Sequence, residues 1–128
     1  MADTPVDMTR RAEELKSLRW GLFICWSFST FSGKEWTPGI KDLAFFRATE
    51  VDTDQWARTA KEAEMGYILF LTKHHDGFCL WDTRTTDRKV TKAPLGRDVL
   101  AELKNPATNT ASSSRSISPK ASGAIPAV

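Results

Sequence analysis

Thirteen consecutive residues constrain this chain more than any others: Gly66-Tyr-Ile-Leu-Phe-Leu-Thr-Lys-His-His-Asp-Gly-Phe78. Tyr67 to Leu71 is an unbroken apolar run. It is too short for a buried helix, and Gly66 and polar residues flank it, so it reads as a buried strand. Polarity then switches at Lys73, His74, His75 and Asp76, and Gly77 permits a tight turn. In parallel α/β folds chemistry collects where strands end, because the strand fixes the position of the loop attached to it. Four titratable residues in a row at such a point make a candidate site. The plainer alternative is a polar turn that returns the chain to solvent, and composition alone does not separate the two.

A buried strand needs neighbours, and the sequence before it supplies one. Trp20 to Trp26 is a second short apolar run and a second strand candidate. Ahead of it, Thr9 to Leu18 reads as a helix capped by Thr9, with Ala12, Leu15 and Leu18 on one face. Ser27 to Lys41 holds Gly33, Pro38 and Gly39 and reads as a long loop, with Glu35 and Trp36 inside it. Asp52 to Met65 carries the strongest helix signature. Asp52 is the cap, Gln55 comes three residues on, Trp56, Ala60 and Ala63 form the stripe, and Gly66 is the stop. Beyond the His-His turn come a short apolar stretch, Phe78 to Trp81, and a polar loop from Thr83 to Arg97. A last helix, Val99 to Lys104, is capped by Asp98. Strands alternating with helices predict an α/β fold with a parallel sheet and right-handed crossovers, of which two strands are only the opening.

Composition narrows the partners. The charge balance is 18 basic against 16 acidic residues, a net +2. That is too even to call for nucleic acid or an anionic membrane surface. No run approaches membrane-spanning length. Met1 to Arg11 has no apolar segment of the secretory kind, so the chain as written is expected in the cytoplasm. Cys25 and Cys79 lie far apart and form no disulfide scaffold. From Ala107 to Val128 there is no aromatic residue and no acid. Such a stretch buries too little apolar surface to offset its ordering entropy. The expected organisation is therefore a folded part over residues 1–104 and a disordered, low-complexity tail over 105–128. No cofactor is called for, and the oligomeric state is not legible.

Several of these segments together resemble a known family. Trp20-Gly-Leu-Phe-Ile-Cys-Trp26, Glu35-Trp36, the helix with Trp56, and Thr72-Lys-His-His-Asp-Gly-Phe-Cys-Leu-Trp81 are similar to the N-terminal part of the α-L-fucosidases, glycoside hydrolase family twenty-nine. Asp87 and Gly96-Arg-Asp98 fit as well. The similarity runs from about Leu18 to Leu103. It implies the first two β/α units of a (β/α)8 TIM-like barrel, here incomplete, and retaining hydrolysis of terminal α-L-fucose. The implied partner is a fucosylated glycan or a small fucoside.

By the same resemblance His74 and His75 hydrogen-bond sugar hydroxyls, and Glu35 and Trp36 line the fucose pocket. The chemistry suits that assignment. A neutral imidazole offers one donor and one acceptor, and an aromatic face packs on the apolar patch of a sugar ring. One departure stands out. The family commonly has His-Trp-Gly where this chain has Cys25-Trp26-Ser27, so Cys25 occupies a substrate-binding position with a weakly hydrogen-bonding thiol. Retaining hydrolysis needs a carboxylate nucleophile and a second carboxyl group about 5 Å away. Asp76, Asp82 and Asp87 match neither, so no catalytic residue is assigned. The chain reads as an N-terminal fragment that carries part of the sugar-binding wall and is inactive alone. Two other readings stay open: a non-catalytic carbohydrate-binding remnant, and a metal-binding module built from Cys25, His74, His75 and Cys79. Against the second, adjacent histidines on an extended segment point apart.

Overall fold

The computed structural model describes residues 5–105 and the backbone of 124–127. Strand β1 is Gly21–Cys25 and strand β2 is Tyr67–Leu71. They pair in parallel, in register from Gly21 opposite Tyr67 to Cys25 opposite Leu71. This is the parallel pair that the alternation of elements predicts, and both strands finish at the same edge of the sheet.

Side-chain alternation gives that sheet two unlike faces. Ile68 and Phe70 are buried on one face, where Leu22 and Ile24 also meet the core. Phe23 and Cys25 are exposed on the other, and Tyr67, Leu69 and Leu71 are half-buried there. A third strand, β3 (Ala124–Ala127), pairs antiparallel with β2, from Ile68 opposite Ala127 to Leu71 opposite Ala124. It falls in the stretch expected to be disordered, whose residues 106–123 and 128 lie outside the described ones. Pro126 fits there because an edge strand tolerates a missing donor.

Three helices precede the second strand along the chain. Helix α1 is Met8–Ser17, capped by Asp7 rather than Thr9, with the Arg10 N–H at 3.0 Å from the Asp7 carboxylate. It has no buried residue, and Leu15 is 53% exposed. An apolar stripe only offers a face; burial needs a second surface. Among the described residues none covers this one. The stretch read as a loop after β1 contains a short helix, α2 (Phe28–Ser32), and a 3-10 turn, Leu43–Phe45.

The crossover from β1 to β2 then runs through helix α3, Thr53–Glu62. Asp52 caps it as expected, its carboxylate accepting from the Gln55 N–H at 2.9 Å. Thr53, Ala57 and Ala60 are its buried residues, while Trp56 lies half-buried against Phe70 and Trp26. The stop differs from the expected one. Glu64 takes the left-handed conformation at φ 57°. Glu64 N–H donates to Lys61 O and Met65 N–H to Ala60 O, both at 2.9 Å, which is the paired bonding of a Schellman ending. Gly66 serves another need. Its N–H donates to Trp20 O, and a Cβ there would run into the Leu18 carbonyl. The glycine lets the end of α1 and the start of β2 pass in contact.

The loop after β2 contains a 3-10 turn at Val90–Lys92 and leads into α4, Val99–Leu103. Asp98 caps α4 through the Ala101 N–H at 2.8 Å, as expected. The core lies between the loops and the inner sheet face. Phe28, Phe46, Phe70, Val90, Val99 and Leu103 are all fully buried in it. Phe78 sits between the two loops, with ring centroids 5.0 Å from Phe28 and 4.7 Å from Phe46.

Candidate functional site

The rim at the shared end of β1 and β2 is built from two loops, and each is tied down before it reaches its tip. In the second loop, Lys73 and Lys89 both form bridges with Cys79, and the Leu80 N–H donates to Thr72 O at 2.9 Å. Between these ties the chain turns through His74, His75, Asp76 and Gly77. The Gly77 N–H donates to His74 O at 3.0 Å, with Gly77 at φ 76°, a conformation that favours glycine.

Asp76 is the buried member of that turn, 7% exposed. One carboxylate oxygen accepts from the Phe78 N–H at 2.7 Å and the other from the Phe28 N–H at 3.0 Å. Its carbonyl accepts from the Arg88 Nε at 2.7 Å, and the Arg88 guanidinium lies 4.8 Å above the Phe28 ring. A single side chain thus joins the histidine turn to the first residue of α2. In sequence Asp76 is one more polar turn residue. Its partner Phe28 is 48 positions away, and no local pattern marks such a bond.

In the first loop, Ser27 caps α2. Its hydroxyl accepts from the Ser29 N–H, and Thr30 Oγ1 accepts from the Ser27 N–H. Gly33 ends the helix at φ 68°. Glu35 and Trp36 come next, both exposed, with Trp36 at 59%. The Trp36 ring centroid stands 5.2 Å from that of His75, tilted by 57°. His75 in turn lies edge-on to His74 at 5.0 Å. Three of the expected site residues, Trp36, His74 and His75, therefore form one continuous group. Glu35 sits beside Trp36 in the chain, and its side chain makes no hydrogen bond among the described residues. Cys25 closes β1, opposite Leu71.

Electrostatics adds two details. Partial desolvation first, then the Asp76 charge, pushes the Cys25 thiol above its ordinary pKa, although the residue remains exposed. For the buried Cys79, desolvation again leads the upward shift, with Lys73 and Arg88 opposing it and Asp76 adding to it. Both thiols therefore stay protonated at neutral pH. His74 Nδ1 is buried without a partner among the described residues. A buried polar atom in that state has hydrogen-bonding capacity left over. The metal reading of this rim loses its geometry: among the described residues no three His, Cys, Asp or Glu side chains gather around a point that a metal ion could occupy.

The segments that build this rim have counterparts in known proteins. Residues 26–113 match the family described as alpha-L-fucosidase. Alpha-L-fucosidase 1 of Arabidopsis thaliana is 33% identical over 96 residues, which are 69% of this chain and 19% of that protein. The crystal structure of a glycoside hydrolase 29 family member from an unknown rumen bacterium superposes with a TM-score of 0.66 at 34% identity, over 77% of this chain and 18% of that one. An alpha-L-fucosidase of Bacteroides thetaiotaomicron, trapped as a covalent intermediate with 2-fluoro-fucosyl fluoride, gives a TM-score of 0.59 at 28% identity over 77% of this chain and 26% of that one. The chain thus spans about a fifth of the length of the relatives it matches.

Proposed function

The chain belongs to the α-L-fucosidase family, and on that premise we propose that its rim is part of the fucose-binding wall of an enzyme that removes terminal α-L-fucose with retention. One observation carries the proposal. Trp36 and His75, from loops after neighbouring parallel strands and inside the matched stretch, meet at 5.2 Å with the Trp36 face open. An open aromatic face beside a histidine suits a deoxy sugar. The ring packs on carbon-bound hydrogens and the methyl group, and the imidazole exchanges hydrogen bonds with hydroxyls.

His74 and His75 hold hydroxyls in this reading, Glu35 accepts from another, and Trp36 provides the platform. Cys25 ends β1, where the first loop begins, with a thiol that is neutral and a poor acceptor. The strand arrangement supports a finer reading of the fold. β1 and β2 are the first two strands of a β/α barrel, and the uncovered face that carries Phe23 and Leu69 is the one that turns toward the barrel interior.

Four carboxylates of this stretch are engaged elsewhere. Asp52 and Asp98 cap helices, and Asp76 holds two backbone N–H groups. Asp82 is held below the usual carboxylate range by a hydrogen bond from Lys89, a second from Thr91 and the Lys89 charge, so it is ionised and no proton donor near neutral pH. Glu35 remains. Double displacement, which the trapped intermediate of the Bacteroides thetaiotaomicron enzyme supports for this family, requires two carboxyl groups about 5 Å apart. One rim carboxylate orients a sugar but does not cleave it.

The test is release of nitrophenol from a nitrophenyl α-L-fucoside by the purified chain. A His74→Ala, His75→Ala double variant is the control. The expected rate equals that of buffer, because orientation without a nucleophile and an acid leaves bond breaking unassisted. Turnover above buffer that disappears in the double variant would instead place Glu35 in the chemistry.

A further inference from the structure

Trp36 and His75 come from different loops, and the segment that presents Trp36 has a pivot at each end. Gly33 and Gly39 both hold positive φ, 68° and 82°. Between them Lys34, Glu35, Trp36 and Pro38 are exposed, and Thr37 alone is buried, at 5%. A buried hydroxyl is costly unless it is bonded. The Thr37 Oγ1 lies 2.6 Å from Ser32 Oγ and 3.5 Å from Ser29 Oγ. Ser29 Oγ also donates to Glu35 O at 2.9 Å, and Ser32 Oγ accepts from the Lys34 N–H at 3.1 Å.

Both serines sit on α2, whose first N–H is held by Asp76. Asp76 comes directly after His75. The contacts therefore close a ring: Asp76 to α2, α2 through Ser29 and Ser32 to Thr37, Thr37 to its neighbour Trp36, and Trp36 to His75. We infer that Thr37 is a positioning residue: its hydroxyl, clasped by Ser29 and Ser32, sets where the Trp36 ring stands over His75. The alternatives are weaker on physical grounds. Trp36 is too exposed to be placed by its own burial. The backbone on either side turns at glycines, which hold conformation poorly unless other groups fix it.

The inference uses the proposed sugar reading only for its consequence, and the experiment keeps the two apart. The chain has two histidines, so each ring C–H resonance is readily assigned. A tryptophan ring at 5.2 Å displaces the His75 resonance by its ring current, and Trp36→Ala defines the undisplaced position. In the folded Thr37→Val variant, which keeps the shape and removes the hydroxyl, the His75 resonance is expected to move more than half way to that position. Thr37→Ser is expected to restore it. A Ser32→Ala variant, which leaves Thr37 in place, is expected to move it part of the way, and it decides the matter should Thr37→Val not fold. A His75 resonance unmoved in a folded Thr37→Val or Ser32→Ala variant overturns the inference. Addition of L-fucose to the unaltered chain is the separate arm. A His75 resonance that ignores the sugar but responds to Thr37→Val leaves the positioning role standing and removes the sugar reading.

Discussion

The loops after β1 and β2 start from paired residues, Cys25 and Leu71, and end at one rim, yet they are held in different ways. The second is fixed first by its backbone, with Asp76 and Arg88 adding side-chain ties. Bridges through Cys79 and the Leu80-to-Thr72 bond knit its start to its return, and Phe78, Leu80, Val90 and Leu95 are buried beneath it. The first is fixed by side-chain hydroxyls on a five-residue helix, and its tip stays in solvent. A backbone-tied turn thus brings the histidines to the rim, while a clasped, glycine-pivoted segment brings Trp36. Side-chain ties break one at a time under substitution, whereas backbone ties do not. The first loop is therefore where single changes should alter recognition without altering folding.

The largest effect should come from a residue that both loops share. Phe78 is 1% exposed and touches Phe28 from the first loop and Phe46 beyond it. Phe78→Ala is expected to cost about 3–5 kcal/mol, from lost burial and the cavity it leaves. Denaturant unfolding measures this. A loss under about 1 kcal/mol would mean that the loops are held independently of this ring.

Next is Asp76, the bond between the loops. Asp76→Ala leaves the Phe28 and Phe78 N–H groups without acceptors, at about 1–3 kcal/mol each. The same variant should speed amide exchange in α2 before it does so in β2, because α2 loses its tie to the second loop. Equal exchange rates in both elements would contradict the contrast between the two loops.

Legibility in the sequence divides along the same line. The second loop is legible because its chemistry is contiguous: the strand, the polarity switch and Gly77 all fall within thirteen residues. Asp52 and Asp98 are legible as caps for the same reason, since a cap reaches only to the next turn. Helix α2 is hidden, because Gly33, Pro38 and Gly39 dominate the stretch. Its signal is present nonetheless: Ser27 opens a five-residue run that Gly33 closes in the left-handed conformation. Gly66 misleads as a helix stop. Glycine permits both a left-handed ending and a close approach, and only the position of Leu18 separates them. The bond from Asp76 to Phe28 and the exposure of α1 depend on which surfaces meet, and no local periodicity encodes that.

Trp36→Ala comes third. The side chain is 59% exposed, so stability should stay within about 0.5 kcal/mol of the unaltered chain, while any response of His75 to L-fucose should vanish. A drop of several kcal/mol would show that Trp36 supports the loop and is not a free platform.

The smallest effect is on Cys25. Its pKa is raised by desolvation and then by Asp76, so the thiolate form is disfavoured in the folded chain. At pH 8 its alkylation by iodoacetamide should be slower than in the denatured chain, and the gap should close as the pH rises through the shifted value. Asp76→Asn removes the charge and leaves the desolvation, so it should recover part of the rate. Unchanged kinetics in that variant would place Cys25 outside the field of Asp76.

The most direct test of the fucose assignment is titration of the unaltered chain with L-fucose, observed at the two histidine ring resonances and the Trp36 indole N–H. The His75 and Trp36 signals are expected to move together and saturate, with D-glucose leaving both in place. Signals that stay fixed to high L-fucose, or that move equally with D-glucose, would contradict the assignment of this rim to fucose.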